Sequence, residues 1–404
     1  MEFPHTFRIW GCRIFQAIFK IADYAIPYRL PEYLDGSGSI RQLPDFLKEK
    51  NVDHILIVTD RGLMQLGLLN SMFHALDQAG IHYACFSDLG SNPTTDDVEK
   101  GYHIYRENGC RAIVAFGGGS PIDCAKAIGA KAAHPKRTIP SMQGLLRVLK
   151  PIPPLFAIPT TSGTGSETTL AAVITDSATH RKASLNDPFL IPKYAILDPE
   201  LTAGLPPHIT AITGMDALCH AVESYTNQTY NTPIENDMAK KAVKLIYDNL
   251  LIAYHDGKNL NARQNMQFAA LYAGRAFTRG CVGYVHAIGH TLGGLYGVPH
   301  GLAMSVLLPH VMREFGASAH KRLADLADVC GIGGANEAEK ANNFIRWIEE
   351  TNEKMGLPNK FDVIQDKDID QMITWAAKEA NPLYPVPVVW ARKDFRRVIE
   401  GIRK

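Results

Sequence analysis

Between about residues 50 and 200, short β-branched runs alternate with helical stretches: HILIVTD, a helix through MFHALDQAG, IHYACFSD, a second helix, then RAIVAFGGGS. Apolar strands spaced by helices predict βαβ units, and so a parallel sheet with helices on its faces. PLFAIPT, LAAVITD and YAILDP continue the domain. After LPPHITA the β character stops. From about Ile209 to the C terminus the pattern is mostly helical, broken by Gly and Pro near 280–300 and 381–388. The expected organisation is an α/β domain over residues 29–206 followed by an all-α domain over 207–404.

The first 28 residues follow another pattern. In FRIWGCRIFQAIFKIADYAIP, Arg13, Gln16, Lys20 and Asp23 recur at helical spacing along a narrow polar strip, while Phe7, Trp10, Ile14, Phe15, Ile18 and Ile21 fill the rest. Such a helix either lies on a membrane surface or packs on its own protein or a neighbouring subunit. It lacks a basic segment followed by an uninterrupted apolar core, which argues against a cleaved signal.

Composition narrows the class. With 404 residues, 46% hydrophobic and 21% charged, the chain can bury two substantial cores, which excludes disorder and fibres. A net charge of +1 and the lack of basic runs interleaved with aromatics give no reason to expect a nucleic-acid partner. Seven scattered cysteines without a CxxC pair read as free thiols in a reducing cytoplasm. No apolar stretch reaches the length needed to span a bilayer.

The chemistry concentrates in the helical half. Asp216 and His220 lie four apart in GMDALCHAVES, so one helix face presents a carboxylate and an imidazole together. His286 and His300 bracket VHAIGHTLGGLYGVPHG, where a turn carrying His286 and His290 is followed by a Gly-rich stretch able to bring His300 back. One oxygen and three nitrogen donors suit Fe²⁺ or Zn²⁺, with a position open for a substrate oxygen. Any one of these histidines is by itself an ordinary core residue; the joint spacing favours a metal.

The α/β half carries nucleotide signals. AIVAFGGGSPIDCAKAIGA reads as strand, triple-glycine turn and helix, and makes Gly117, Gly118, Gly119 and Ser120 a phosphate cradle, with Asp123 assigned to the same site. The turn is not GxGxxG, and a plain strand-to-helix turn is the alternative. IPTTSGTGSETT offers Thr160, Thr161, Ser162 and Thr164 to line nicotinamide and ribose. Asp60, closing HILIVTD, is placed to accept from ribose hydroxyls and repel a 2′-phosphate, favouring NAD over NADP; it would equally cap the following turn.

Taken together, GGGSPIDCAKAI, PTTSGTGSE, DPELTAGLP, GMDALCHAVES and GYVHAIGHTLGGLYGVPHG resemble the iron-containing, group III alcohol dehydrogenases, from about Leu30 through the late NPLYP segment. The resemblance implies a dehydroquinate synthase-like fold of two domains with the metal in the cleft between them. It implies NAD(H)-linked oxidation of a small alcohol or reduction of an aldehyde, and a dimer or larger homo-oligomer. Position by position, the family's ligands fall on Asp216, His220, His286 and His300. Its cofactor positions fall on Asp60, the GGGS turn, Thr160, Thr161, Thr164 and Lys182. A further family histidine, near the substrate, falls on His290 and implies proton relay or positioning. Phe277 matches a family aromatic that would limit substrate bulk.

Two features depart from that pattern. The first 28 residues are an addition, and Arg275 and Arg279, with Thr278, stand where many relatives carry small or amide residues. Arginines at i and i+4 beside a metal could clamp an anionic substrate; a salt bridge is the alternative. Two other function classes compete. A lyase like dehydroquinate synthase would need several cations converging on the metal. A non-catalytic scaffold anchored by the N-terminal helix would have no need of a full ligand set.

Overall fold

The structure is a computed structural model that describes residues 5–90, 92–179 and 182–404. The first four residues of the amphipathic segment, and the two preceding Lys182, lie outside the described residues. The chain divides into two units.

The α/β unit comprises Tyr28–Leu205 together with Lys258–Gln267. Its strands are β1 (Glu32–Asp35), β2 (His54–Val58), β3 (His82–Phe86), β4 (Ala112–Gly117), β5 (Gly144–Leu145), β6 (Leu155–Pro159), β7 (Ala171–Thr175), β8 (Lys182–Asn186) and β9 (Tyr194–Leu197). Six of them form a parallel sheet in the order β1-β9-β6-β4-β2-β3. Side chains alternate between its faces: Leu56, Val58, Ile113 and Ala115 enter one core, and Ile55, Ile57, Val114 and Phe116 enter another. Helices cover both faces, which is why β4 and β6 are buried throughout and read as continuous apolar runs. LAAVITD does not join this sheet. It forms β7, antiparallel to β8, in a small separate sheet with β5, where Val173 is left exposed.

The helical unit comprises the segment through Pro27, Pro206–Gly257 and Phe268–Lys404. The helix Leu260–Gly280 therefore contributes its first turns to the α/β unit, where Gln264 accepts the Gly36 N–H at 2.9 Å. Pro207 opens the helix Pro207–Thr226, which is buried all round from Gly214 onward, with Asp216, His220 and Glu223 among its buried side chains. The helix His300–Phe315 packs against it so closely that a Cβ on Gly301 would collide with the carbonyl oxygen of Ile212. That approach holds His300 over the central helix. The N-terminal helix His5–Tyr24 packs on this unit through its polar strip, with its apolar side outward.

Candidate metal centre and cofactor cradle

Asp216, His220 and Glu223 share one face of the helix Pro207–Thr226, His286 and His290 lie one turn apart on the helix Tyr284–Tyr296, and His300 opens the helix His300–Phe315. Asp216 Oδ1 lies 3.3 Å from His300 Nε2, 3.8 Å from His286 Nε2 and 3.9 Å from His220 Nδ1. Donor atoms of Asp216, His286 and His300 all fall within 4.8 Å of one another. His220 stands beside them, its ring stacked on His286 at 4.6 Å and on Phe277 at 4.1 Å.

Electrostatics prepare these groups for a cation. Burial alone would raise the Asp216 carboxyl, but the imidazoles of His220 and His300 outweigh it and hold the group below the usual carboxylate range. Burial pushes His220 down to about 3 and His286 well below its ordinary value, so both rings keep lone pairs. Asp216 Oδ1, His220 Nδ1 and His286 Nε2 are buried without a hydrogen-bond partner. Three orphaned acceptors in one place are costly unless something positive satisfies them, so the residues fit a divalent metal.

Glu223 was not singled out in the sequence. Its Oε2 lies 2.6 Å from His286 Nδ1, and its Oε1 accepts the Val285 N–H at 2.7 Å. Burial raises its carboxyl to about 7 against the N–H groups of Gly283 and Val285. Cys219 Sγ is 3.8 Å from the same nitrogen, but burial holds its thiol well above the ordinary value, so it packs there as a neutral group. His290 Nδ1 lies 2.7 Å from Glu379 Oε1, which also accepts from the Tyr384 hydroxyl at 3.1 Å.

The clamp reading of Arg275 and Arg279 is corrected by their partners. Arg275 pairs with Glu235 at 2.6 Å, and Arg279 pairs with Asp23 at 3.1 Å and approaches Glu235 at 3.6 Å, all four side chains being buried. Desolvated guanidinium groups take the nearest carboxylates, and these are internal.

In the α/β unit, the strand order reverses between β2 and β4, and a crevice at the carboxyl ends of strands there is where α/β sheets bind nucleotides. Asp60 follows β2 and the Gly117–Ser120 turn follows β4, so both border that point. Asp60 Oδ1 caps the helix Arg61–Gln65 by accepting the Leu63 N–H at 2.9 Å. Gly118 caps the helix Gly119–Ala133. A Cβ on Gly118 would sit 3.2 Å from Thr161 Oγ1 and one on Gly119 2.9 Å from Thr164 Cγ2, so the glycine turn and the threonine loop pack closely enough to form one surface. Thr160 is buried beside them, its N–H donating to Gly117 O at 3.1 Å.

Asp123 and Lys182 have protein partners. Asp123 accepts from Ser166 Oγ at 2.7 Å and from the Val173 N–H at 3.0 Å, and so braces the threonine loop. Lys126, also absent from the sequence reading, donates to Ser166 Oγ, Thr169 Oγ1 and Ala171 O at 2.8–2.9 Å, and burial lowers it to about 8. Lys182 begins β8 in the small sheet and donates to Asn92 Oδ1 at 2.6 Å.

Comparison with known proteins gives the family. The iron-containing alcohol dehydrogenase family matches residues 31–199, and the C-terminal Fe-containing alcohol dehydrogenase family matches residues 210–401. The chain therefore belongs to the iron-containing alcohol dehydrogenases, NAD-linked oxidoreductases that interconvert alcohols and carbonyl compounds. It is 40% identical to a 1,3-propanediol dehydrogenase of Klebsiella pneumoniae, over 90% of this chain and 94% of that protein. It is 38% identical to the NAD-dependent methanol dehydrogenase of Bacillus methanolicus, over 94% of this chain and all of that one. A solved 1,3-propanediol oxidoreductase superposes with a TM-score of 0.88 at 35% identity, covering 93% of this chain and 99% of that chain.

Proposed function

We propose that this chain oxidises short primary or secondary alcohols reversibly with NAD, holding Fe²⁺ on Asp216, His220, His286 and His300. The observation that carries the reading is the set of buried donors without partners, Asp216 Oδ1, His220 Nδ1 and His286 Nε2. Three imidazoles and a carboxylate accept Fe²⁺ or Zn²⁺ alike, and the family supports iron.

When bound, the cation supplies Lewis acidity and NAD supplies a hydride acceptor. The protein does the rest. Glu223 holds Nδ1 of His286 and so fixes which nitrogen that ring offers to the site. Asp216 supplies the site's negative charge beside the imidazoles of His220, His286 and His300. Phe277, stacked on His220, is a wall that favours substrates of small bulk. His290, half-exposed and paired with Glu379, is suited to carry the alcohol proton outward. Gly117, Gly118, Gly119 and Ser120 would receive the pyrophosphate, and Thr160, Thr161 and Thr164 the adjoining sugar and ring. Asp60 favours NAD by the charge of its carboxylate.

The lyase alternative lacks support, because Arg275 and Arg279 are committed to Glu235 and Asp23. The deciding experiment follows NADH consumption with a panel of short aldehydes, using protein stripped of metal and then reloaded with Fe²⁺ or Zn²⁺. Turnover that returns with Fe²⁺ supports the reading. NADH binding without turnover on any aldehyde, with either metal, refutes it.

A further inference from the structure

The N-terminal helix is amphipathic in the reverse of the usual sense. Its polar strip is the docked side: Arg13 donates to the carbonyl oxygens of Val386 and Pro387 at 2.9 Å, and Gln16 to those of Pro382 and Tyr384 at 2.9 and 3.0 Å. Asp23 pairs inward with Arg279. Phe7, Trp10, Ile14, Phe15, Ile18, Ile21 and Tyr24 face outward, each between 40% and 76% exposed. At roughly 200 Å² per large side chain, this is an apolar surface on the order of 800 Å², beyond what monomeric soluble proteins ordinarily show. Among the described residues of this helix, no exposed position is charged.

A basic groove adjoins that surface. It measures about 600 Å³ beside Gly11 and Phe15, and among the described residues its charged lining consists of Arg8, Lys378 and Arg392. Arg8 is held by the carbonyl oxygen of Trp390, which fixes its position without neutralising its charge. Arg392 is held by Asp370 at 3.0 Å.

We infer that this face docks on a membrane surface carrying anionic phospholipid, with the helix in the interfacial plane and a phosphate headgroup in the groove. Area alone would suit a second copy, since a standard interface buries about 800 Å² per partner. Charge decides between them. Among the described residues, an identical helix face brings apolar side chains and no exposed carboxylate, so it leaves the groove without an anion. An anionic bilayer meets both requirements, taking the apolar row at the acyl boundary and placing phosphates by the cations. Trp10 and Tyr24 are of the types that prefer headgroup depth. No helix among the described residues is long and apolar enough to cross a membrane, so the contact is peripheral.

Cosedimentation of the full chain with vesicles tests this. Vesicles of phosphatidylcholine containing about one-third phosphatidylglycerol should bind the protein at least tenfold better than phosphatidylcholine alone, and added salt should weaken the binding. The double substitution Ile14→Glu/Ile18→Glu should abolish it, and Lys378→Glu should reduce it several-fold. Ile14 and Ile18 are 53% and 65% exposed, so the double variant should keep its thermal midpoint and its alcohol oxidation in lipid-free buffer. No binding to anionic vesicles, or a double variant that binds as wild type does, overturns the proposal. Equal binding to neutral vesicles overturns the headgroup assignment. If vesicles are ignored and the double substitution instead dissociates an oligomer on a sizing column, a second copy covers this face.

Discussion

His286 Nδ1 and Glu223 Oε2 lie 2.6 Å apart in the core of the helical unit, and the other oxygen of that carboxylate is anchored by the Val285 N–H. A carboxylate there accepts from Nδ1–H and leaves the Nε2 lone pair for a metal. In Glu223→Gln, if the carbonyl stays on Val285, the amide NH₂ meets Nδ1 and favours the opposite tautomer. Metal affinity should fall about 10–100-fold with the fold retained, the usual loss when a ligand's hydrogen-bond partner is removed. Competition with a chelator measures this, and unchanged affinity would mean that Glu223 does not set the ring.

His290 separates binding from turnover. With the proposed ligand set of Asp216, His220, His286 and His300, His290→Ala should keep its metal and lower kcat about 100-fold or more, as loss of a proton-transferring group does. His286→Ala should lose metal and activity together. Metal content and kcat measured on both variants check the distinction, and full activity in either contradicts it.

The two buried arginines illustrate what a sequence shows and what it hides. Asp216 and His220 are legible because their relation is local, one helical turn, and the βαβ alternation is legible for the same reason. The partners of Arg275 and Arg279 are not local: Glu235 and Asp23 reach them only through packing, and an i,i+4 pair of cations reads the same whether it meets a substrate or a carboxylate. Periodicity likewise reveals the polar strip of the N-terminal helix but not that the strip faces inward. Glu223 was within reach, standing three residues after His220 on the face that also carries Asp216. Lys126 was too, since a lone cation inside CAKAIGA has to find partners when its helix is buried.

Asp23 ties the added helix to the helix that carries Phe277. Its removal in Asp23→Ala leaves the Arg279 guanidinium with the more distant Glu235 at 3.6 Å and the Ile26 carbonyl at 3.5 Å. Breaking one side of a buried pair should destabilise the protein by about 3 kcal/mol. Urea unfolding reads this directly, and a change within experimental error would show that the two longer contacts suffice.

Gly118→Ala probes the cradle. The new methyl would stand 3.2 Å from Thr161 Oγ1, a contact that a small shift relieves, so folding should persist while close backbone approach to a phosphate is blocked. The Kd for NADH, from fluorescence titration, should rise about tenfold, equivalent to ~1.4 kcal/mol. An unaltered Kd would move the pyrophosphate away from this turn.

Glu167 gives the α/β unit a pH-dependent stability. Burial raises its carboxyl from 4.5 to about 7, against its own backbone N–H and the charge of Lys126. A carboxyl whose pKa rises on folding holds its proton more tightly in the folded state. Its contribution is therefore fully present below pH 4.5 and is lost as the pH climbs through that window to about 7. Between about pH 5 and pH 8, wild type should lose roughly 2–3 kcal/mol relative to Glu167→Gln, which keeps the shape and removes the titration. Urea unfolding of both proteins at the two pH values provides the comparison. Parallel pH profiles would mean that the folded protein already ionises Glu167 at pH 5, with Lys126 compensating the buried charge.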